Sequence, residues 1–177
     1  MRSVAFFGHR RIFKHNEIVV RLMEKLIENV PNGYNNFLIG TYGEFDQLAR
    51  SCCLKYVREF NSTCEITIIF SSLTALNKYK FGYFNNDFCK TMLYDVENIH
   101  YKNRITQLNK KIVDDSDLII CYVDMNKKKS GAKNAVKYAM KKKKRIINLF
   151  KEDDWFIDIN EYDIKSIFKK LEQLTID

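Results

Sequence analysis

Along the first 150 residues, short apolar runs alternate with longer stretches in which apolar residues recur every three or four positions. Ser3 to Phe7 predicts a short buried strand that ends at Gly8. Asn16 is placed to cap a helix running to about Val30, because Ile18, Leu22, Leu26 and Ile27 fall on one face. Pro31, Asn32 and Gly33 then stop it. Asn36-Phe37-Leu38-Ile39 predicts a second strand, cut by Gly40. A second helix follows from Glu44 or Phe45 through Leu48, Ala49, Cys52 and Tyr56. Glu65 to Phe70 has the continuous apolar character of a third strand covered on both faces.

From Ser71 to Tyr101 the pattern loses its regularity, and the segment reads as a long connection with one short helix, rich in Tyr, Phe and Asn. Long ordered connections in compact domains tend to serve a site, which puts this one near the ligand. Asn103 to Val113 regains helical spacing, and Leu118 to Val123 is a fourth apolar run. Gly131 to Lys143 predicts a further helix and Arg145 to Phe150 a fifth strand. Strands and helices alternating over short connections define a parallel α/β sheet: a Rossmann-like open sheet with helices on both faces over residues 1–150. Residues 151–177 form an acidic, then amphipathic extension. There Ile164, Ile167, Phe168, Leu171 and Leu174 make one stripe, predicting a C-terminal helix packed on the domain or on a partner subunit.

Composition narrows this picture. The chain has 177 residues, enough for one domain with a substantial core, and its 14% aromatic content supplies apolar surface that a disordered chain lacks. Five cysteines, an odd number without regular spacing, exclude a disulfide framework and show no metal-ligand pattern. The longest apolar runs are strand-sized, so no membrane span is expected. Gly8, His9 and Arg10 interrupt the N-terminal apolar run before a signal peptide forms, so a cytoplasmic protein is expected. The formal net charge of +8 sits mostly in Lys127-Lys128-Lys129 and Lys141 to Arg145. A lysine run at a helix end suits the helix dipole, and no aromatics interleave with these runs. Heavy use of Lys, Asn and Ile also points to an AT-rich genome as a source of the basic pI. A nucleic-acid partner is therefore not expected.

Ligands of open parallel sheets bind beyond the carboxyl ends of the strands. Three segments stand there: Gly8-His9-Arg10-Arg11, Gly40-Thr41-Tyr42-Gly43-Glu44-Phe45-Asp46, and Lys127-Lys128-Lys129-Ser130-Gly131-Ala132. Glycines let backbone amides approach an anion, the next helix adds partial positive charge, and the Arg and Lys side chains pair with phosphate oxygens. Each feature also has a plain structural role: a glycine as a turn, His9 as a hydrogen-bonded structural residue, Asp46 as a helix cap. The acidic Asp114-Asp115-Ser116-Asp117 cluster reads equally as a turn feeding the next strand. No nucleophile elbow, Walker loop or complete GxGxxG is present.

Taken in order, these segments resemble the SLOG superfamily, named for the Smf/DprA and lonely-guy proteins, and within it the short bacterial YpsA-like branch. The matching pieces are Phe6-Phe7-Gly8-His9-Arg10 and Gly40 to Asp46 with Ala49. They continue with Asn109, the stretch Ile112 to Ile120, and Ser130-Gly131-Ala132 leading to Ile146-Ile147-Asn148-Leu149. Glu97 falls where the branch carries an acidic residue. The resemblance spans about Arg2 to Phe150 and implies a Rossmann-like fold that binds nucleotides or nucleotide-derived ligands. The lonely-guy enzymes hydrolyse the N-glycosidic bond of nucleoside monophosphates with a glutamate that follows a Gly-rich loop; here Ala135 stands near that position. The branch's glycine pair is reduced to Ser130-Gly131, and its usual arginine before Asn109 is Leu108.

The expected function is non-catalytic binding of a nucleotide-derived small molecule, as sensor or sequestering protein, with no cofactor and no metal. Gly8, His9, Arg10, Arg11, Gly40, Thr41, Gly43, Asp46, Asn109, Ser130 and Gly131 are the expected ligand contacts. The alternative is an N-glycosidic hydrolase or transferase with Glu44, Asp46 or Glu97 as its carboxylate. A nucleic-acid binder of the DprA kind ranks third. Superfamily members are often dimers, so the resemblance implies a homo-oligomer, a dimer or larger.

Overall fold

A computed structural model describes residues 2–80, 89–96 and 98–155. The strands are β1 (Arg2–Gly8), β2 (Tyr34–Ile39), β3 (Glu65–Phe70), β4 (Cys89–Leu93), β5 (Leu118–Tyr122) and β6 (Arg145–Asn148). Between them run α1 (His15–Asn29), α2 (Glu44–Glu59), α3 (Leu73–Lys80), α4 (Tyr101–Asp114) and α5 (Gly131–Lys141). All five strand pairings are parallel, in the order β4-β3-β2-β1-β5-β6. Chain order reverses between β2-β1 and β1-β5, which opens a crevice above the carboxyl end of β1.

Alternation along β1 sends its side chains into two cores. Val4 and Phe6 join the cluster under α1 and α2, with Ile18, Leu22, Phe45 and Tyr56. Ala5 and Phe7 join the cluster under α4 and α5, with Leu108, Ile112, Ile119 and Val136. The acidic tail begins with a 3-10 turn at Glu152–Trp155, whose fully buried Asp154 takes both arms of the Arg21 guanidinium at 2.7 and 3.0 Å. The expected C-terminal helix, with Ile164 to Leu174, lies outside the described residues.

Three expectations are corrected. The middle segment contributes a strand, β4, at the sheet edge, where only a connection with a helix was predicted. Its residues Lys90, Thr91 and Met92 are exposed, so the strand lacks the apolar run that marks its buried neighbours. Asn16 does not cap α1; the helix starts at His15, with Lys14 at its N-cap in the left-handed region (φ 50°). The fourth and fifth predicted strands are shorter than expected, ending at Tyr122 and Asn148.

Gly8 fixes how α2 meets the sheet. A Cβ placed there would lie 2.2 Å from Cγ of the fully buried Phe45. Phe45 in turn stacks on Tyr122 at the end of β5, with ring centroids 6.0 Å apart and planes 19° from parallel. Gly131, at the start of α5, has nothing within 4 Å of its missing Cβ. Gly8→Ala is therefore expected to destabilise the fold by about 1–3 kcal/mol through overpacking. Gly131→Ala is expected to be neutral or to stabilise by roughly 0.5–1 kcal/mol, because it restricts the unfolded chain. Urea unfolding of the two variants checks the contrast, and equal losses would contradict it.

Candidate functional site

The three strand-end segments meet in one cavity of about 350 Å3. The β1–α1 loop brings Gly8, His9 and Arg10 to it, and the β2–α2 loop brings Gly40, Tyr42, Gly43 and Asp46. Lys127, Lys129, Ser130, Gly131 and Ala132 come from the β5–α5 loop and the start of α5. The remaining wall belongs to Phe6 and Phe7 of β1 and to α4, where Ile105, Leu108 and Ile112 lie on one face beside Asn109. Among the described residues the cavity thus combines cations, an apolar wall and a single carboxylate, Asp46.

His9 is buried and carries no charge. Its ring Nε2 accepts the Asp124 N–H at 2.8 Å, so the neutral ring holds its proton on Nδ1, which faces Ser130 Oγ at 3.4 Å. Burial first, then the Lys127 ammonium, pull its pKa down to about 4, against the Asp124 carboxylate, which raises it. Ser130 caps α5 by accepting the Lys133 N–H at 3.2 Å. His9 therefore braces the two loops around a helix N-terminus, where backbone N–H groups favour an anion.

Asp46 occupies the third position of α2 and closes the Gly40–Gly43 loop. Its Oδ2 accepts the N–H groups of Tyr42 at 2.8 Å and Gly43 at 3.2 Å. Burial pushes its pKa up to about 6, against the pull of those two donors. Gly43 also lets the loops touch: a Cβ there would stand 3.0 Å from the Arg10 Cα. Glu44 is engaged differently. Its Oε2 accepts the Ile12 N–H at 2.8 Å, and its own N–H donates to the Arg10 carbonyl at 3.0 Å, so it pins the β1–α1 loop to α2.

Of the expected site residues, Gly8, His9, Arg10, Gly40, Gly43, Asp46, Asn109, Ser130 and Gly131 line the cavity. Arg11 and Thr41 are exposed and stand outside its lining, as does Glu44. Glu97 lies outside the described residues, as do Phe81, Tyr83, Phe84 and Phe88 of the aromatic middle segment. Sequence reasoning missed Tyr42, whose hydroxyl hydrogen-bonds Ser71 Oγ, and the apolar α4 wall. The spacing of Ile105, Leu108 and Ile112 was a visible signal, but it reads the same for a face turned to a core or to a cavity. The acidic cluster is remote from the cavity. Asp117 Oδ2 accepts the Ser3 N–H at 2.8 Å at the opposite end of the strands, and Asp114 pairs with Lys142 at 3.2 Å.

Among the described residues no His, Cys, Asp and Glu group is arranged to hold a metal ion, and the five cysteines are free. Burial pushes the Cys52 and Cys121 thiols up to about 12, which removes their nucleophilicity at neutral pH. No helix among the described residues is long and apolar enough to cross a membrane.

No protein-family model matches this sequence, and no curated protein matches it. Among solved structures, the chain is similar to the molybdenum cofactor carrier protein of Chlamydomonas reinhardtii, with a TM-score of 0.50 and 9% identity over 100% of both chains. At that identity the likeness concerns the fold, an α/β Rossmann-like open parallel sheet.

His9 and Asp46 make opposite contributions to stability over the same pH window. His9 holds its proton less tightly in the folded chain (about 4) than the ordinary 6.5, so its contribution is complete above pH 6.5 and is lost as pH falls towards 4. Asp46 holds its proton more tightly (about 6) than the ordinary 3.8, so its contribution is complete below pH 3.8 and is lost as pH rises towards 6. Each amounts to something on the order of 3 kcal/mol, given roughly 1.4 kcal/mol per pKa unit. Asp46→Asn, which keeps an acceptor for the loop, should make stability fall more steeply than in the wild type on acidification from about pH 6 to 4. Urea titrations along that range check it; coincident wild-type and variant slopes would contradict it.

Proposed function

We propose that this protein binds a small anionic ligand of the nucleotide-derived class in the cavity above β1, β2 and β5, and holds it without converting it. One observation carries the reading: the α5 N-terminus, Ser130, Arg10, Lys127 and Lys129 line a cavity that is also lined by apolar residues of α4. Such apolar residues suit the flat face of a base, and the cations suit phosphate oxygens. The volume lies at the small end of the range for ligand pockets, roughly 300–1,000 Å3, and suits a mononucleotide-sized molecule. The sequence resemblance to SLOG proteins supports the same reading. So does the fold shared with a protein named as a cofactor carrier, although the argument rests on the cavity.

A second reading, hydrolysis or transfer at an N-glycosidic bond, is favoured by one feature. Asp46 puts a carboxylate with a raised pKa on the cavity wall, the kind of group that transfers protons near neutrality. Against it, Glu44 is spent on the Ile12 N–H, and Ala135 stands near the position where lonely-guy enzymes carry their glutamate.

The two readings separate in one experiment. The protein is mixed with nucleoside mono-, di- and cyclic phosphates and nicotinamide dinucleotides, bound and free fractions are parted, and both are identified by mass spectrometry. A ligand recovered intact is the expected result; base plus ribose phosphate would establish the enzyme instead. Arg10→Ala should weaken binding of the retained nucleotide by about 10- to 100-fold, the 1.5–3 kcal/mol of a charge-assisted hydrogen bond. An unchanged affinity would take Arg10 out of the site.

A further inference from the structure

We infer that the Glu152–Trp155 turn is a latch for the anion site: through Phe150 it keeps the His9 ring dry and in place, and so sets the donors where α5 begins. The inference rests on the anion-binding reading above only for what those donors meet; the latch itself is measured without a ligand. It starts where the sheet ends. β6 stops at Asn148, and Leu149 still donates its N–H to the Cys121 carbonyl of β5 at 2.7 Å. Phe150 lies one residue beyond, with its N–H on Asn148 Oδ1 at 3.2 Å. Its ring centroid stands 5.4 Å from that of Tyr122 and 6.4 Å from that of His9, and it meets both rings in an edge arrangement.

Arg21 of α1 grips the chain on both sides of Phe150. Its Nη1 donates to the Leu149 carbonyl at 3.0 Å and to Asp154 Oδ2 at 2.7 Å, and its Nη2 donates to Asp154 Oδ1 at 3.0 Å. Asp154 is fully buried and also accepts the Lys151 N–H at 2.9 Å, which closes the turn. Releasing the pair is costly, because either half left alone is a desolvated charge. The path then runs inward from Phe150. His9 is 3% exposed, and burial is the largest influence that holds its ring neutral, ahead of Lys127 and against Asp124. That ring accepts the Asp124 N–H and faces Ser130, which caps α5. Arg21, Phe150 and Asp154 are thus positioning residues: they stand outside the cavity lining and act on it through His9.

The test reads protonation of the His9 ring by nuclear magnetic resonance in the intact protein at about pH 5, between the buried and the ordinary histidine pKa. His9→Gln assigns its resonance among the three histidines. The ring is expected to be mostly neutral in the wild type and mostly protonated in Asp154→Asn and in Phe150→Ala, a pKa rise of about one to two units as water reaches it. Phe150→Leu, which keeps apolar cover, should stay near the wild type. The sign separates the latch from simple electrostatics, because removing the Asp154 charge would by itself lower a histidine pKa. The double variant Asp154→Asn, Phe150→Ala should move the ring no further than Phe150→Ala alone. At neutral pH, inorganic phosphate titrated calorimetrically should bind about threefold or more weakly to each single variant, as the donors lose their preset positions. An unmoved His9 ring, additive shifts in the double variant, or unchanged phosphate affinity overturns the inference. Wild-type protein that binds no phosphate overturns the anion-binding reading instead, and the His9 resonance then decides the latch. If Asp154→Asn does not fold, the contrast between Phe150→Ala and Phe150→Leu decides it.

Discussion

The contact between Gly8 and Phe45 is the constraint on which the site depends. The ring of Phe45 occupies the space that a side chain at residue 8 would fill, so α2 begins directly over the end of β1. That position lets the Glu44 N–H reach the Arg10 carbonyl and lets the Glu44 carboxylate reach the Ile12 N–H. Gly43 extends the same approach by admitting the Arg10 backbone. On the far side, Phe45 stacks on Tyr122, whose carbonyl accepts the His9 N–H at 3.2 Å. Three loops from three strands are thereby held in register by close packing and backbone hydrogen bonds.

Much of this order was legible in the sequence. Glu65 to Phe70 is a strand with those same bounds, because a continuous β-branched and aromatic run covered on both faces has no helical alternative of that length. The Gly-containing loops at strand ends located the cavity, since parallel topology puts all such loops on one edge. What was not legible shares a physical reason. Among the described residues β4 pairs only with β3, and it exposes its central residues, so its sequence did not have to be apolar. Glu44 and Asp46 are two residues apart and chemically alike. Nothing in the residues tells which carboxylate will be consumed by a backbone N–H outside the cavity and which will line it. That distinction is made by long-range packing, and it decides which acid can meet a ligand.

The distribution of charge follows from the same topology. Asp117 is bound to Ser3 at the amino ends of the strands, and Asp114 is bound to lysine there, so the acidic cluster cannot oppose the cations at the carboxyl ends. The parallel sheet separates the two by its full strand length. An anion approaching the cavity meets Arg10, Lys127 and Lys129 with Asp46 as the opposing charge, and burial holds that carboxyl partly protonated near pH 6.

His9 shows how a structural residue shapes such a site without touching the charge balance. With Nε2 occupied by the Asp124 N–H, the ring can only donate from Nδ1, and the Ser130 oxygen already accepts from Lys133. A hydroxyl that receives two donors has its own proton left to give. The polarity of Ser130 is thus set from behind: its O–H acts as a donor at the mouth of a helix whose first N–H groups are donors as well. A protonated histidine would lose the Asp124 contact, and burial disfavours that state, lowering the pKa to about 4. The neutral ring therefore fixes donors where α5 begins at the cavity, and Asp46 adds a carboxylate from the start of α2. A ligand that satisfies both must carry acceptors and donors together, a stricter demand than net charge alone would impose.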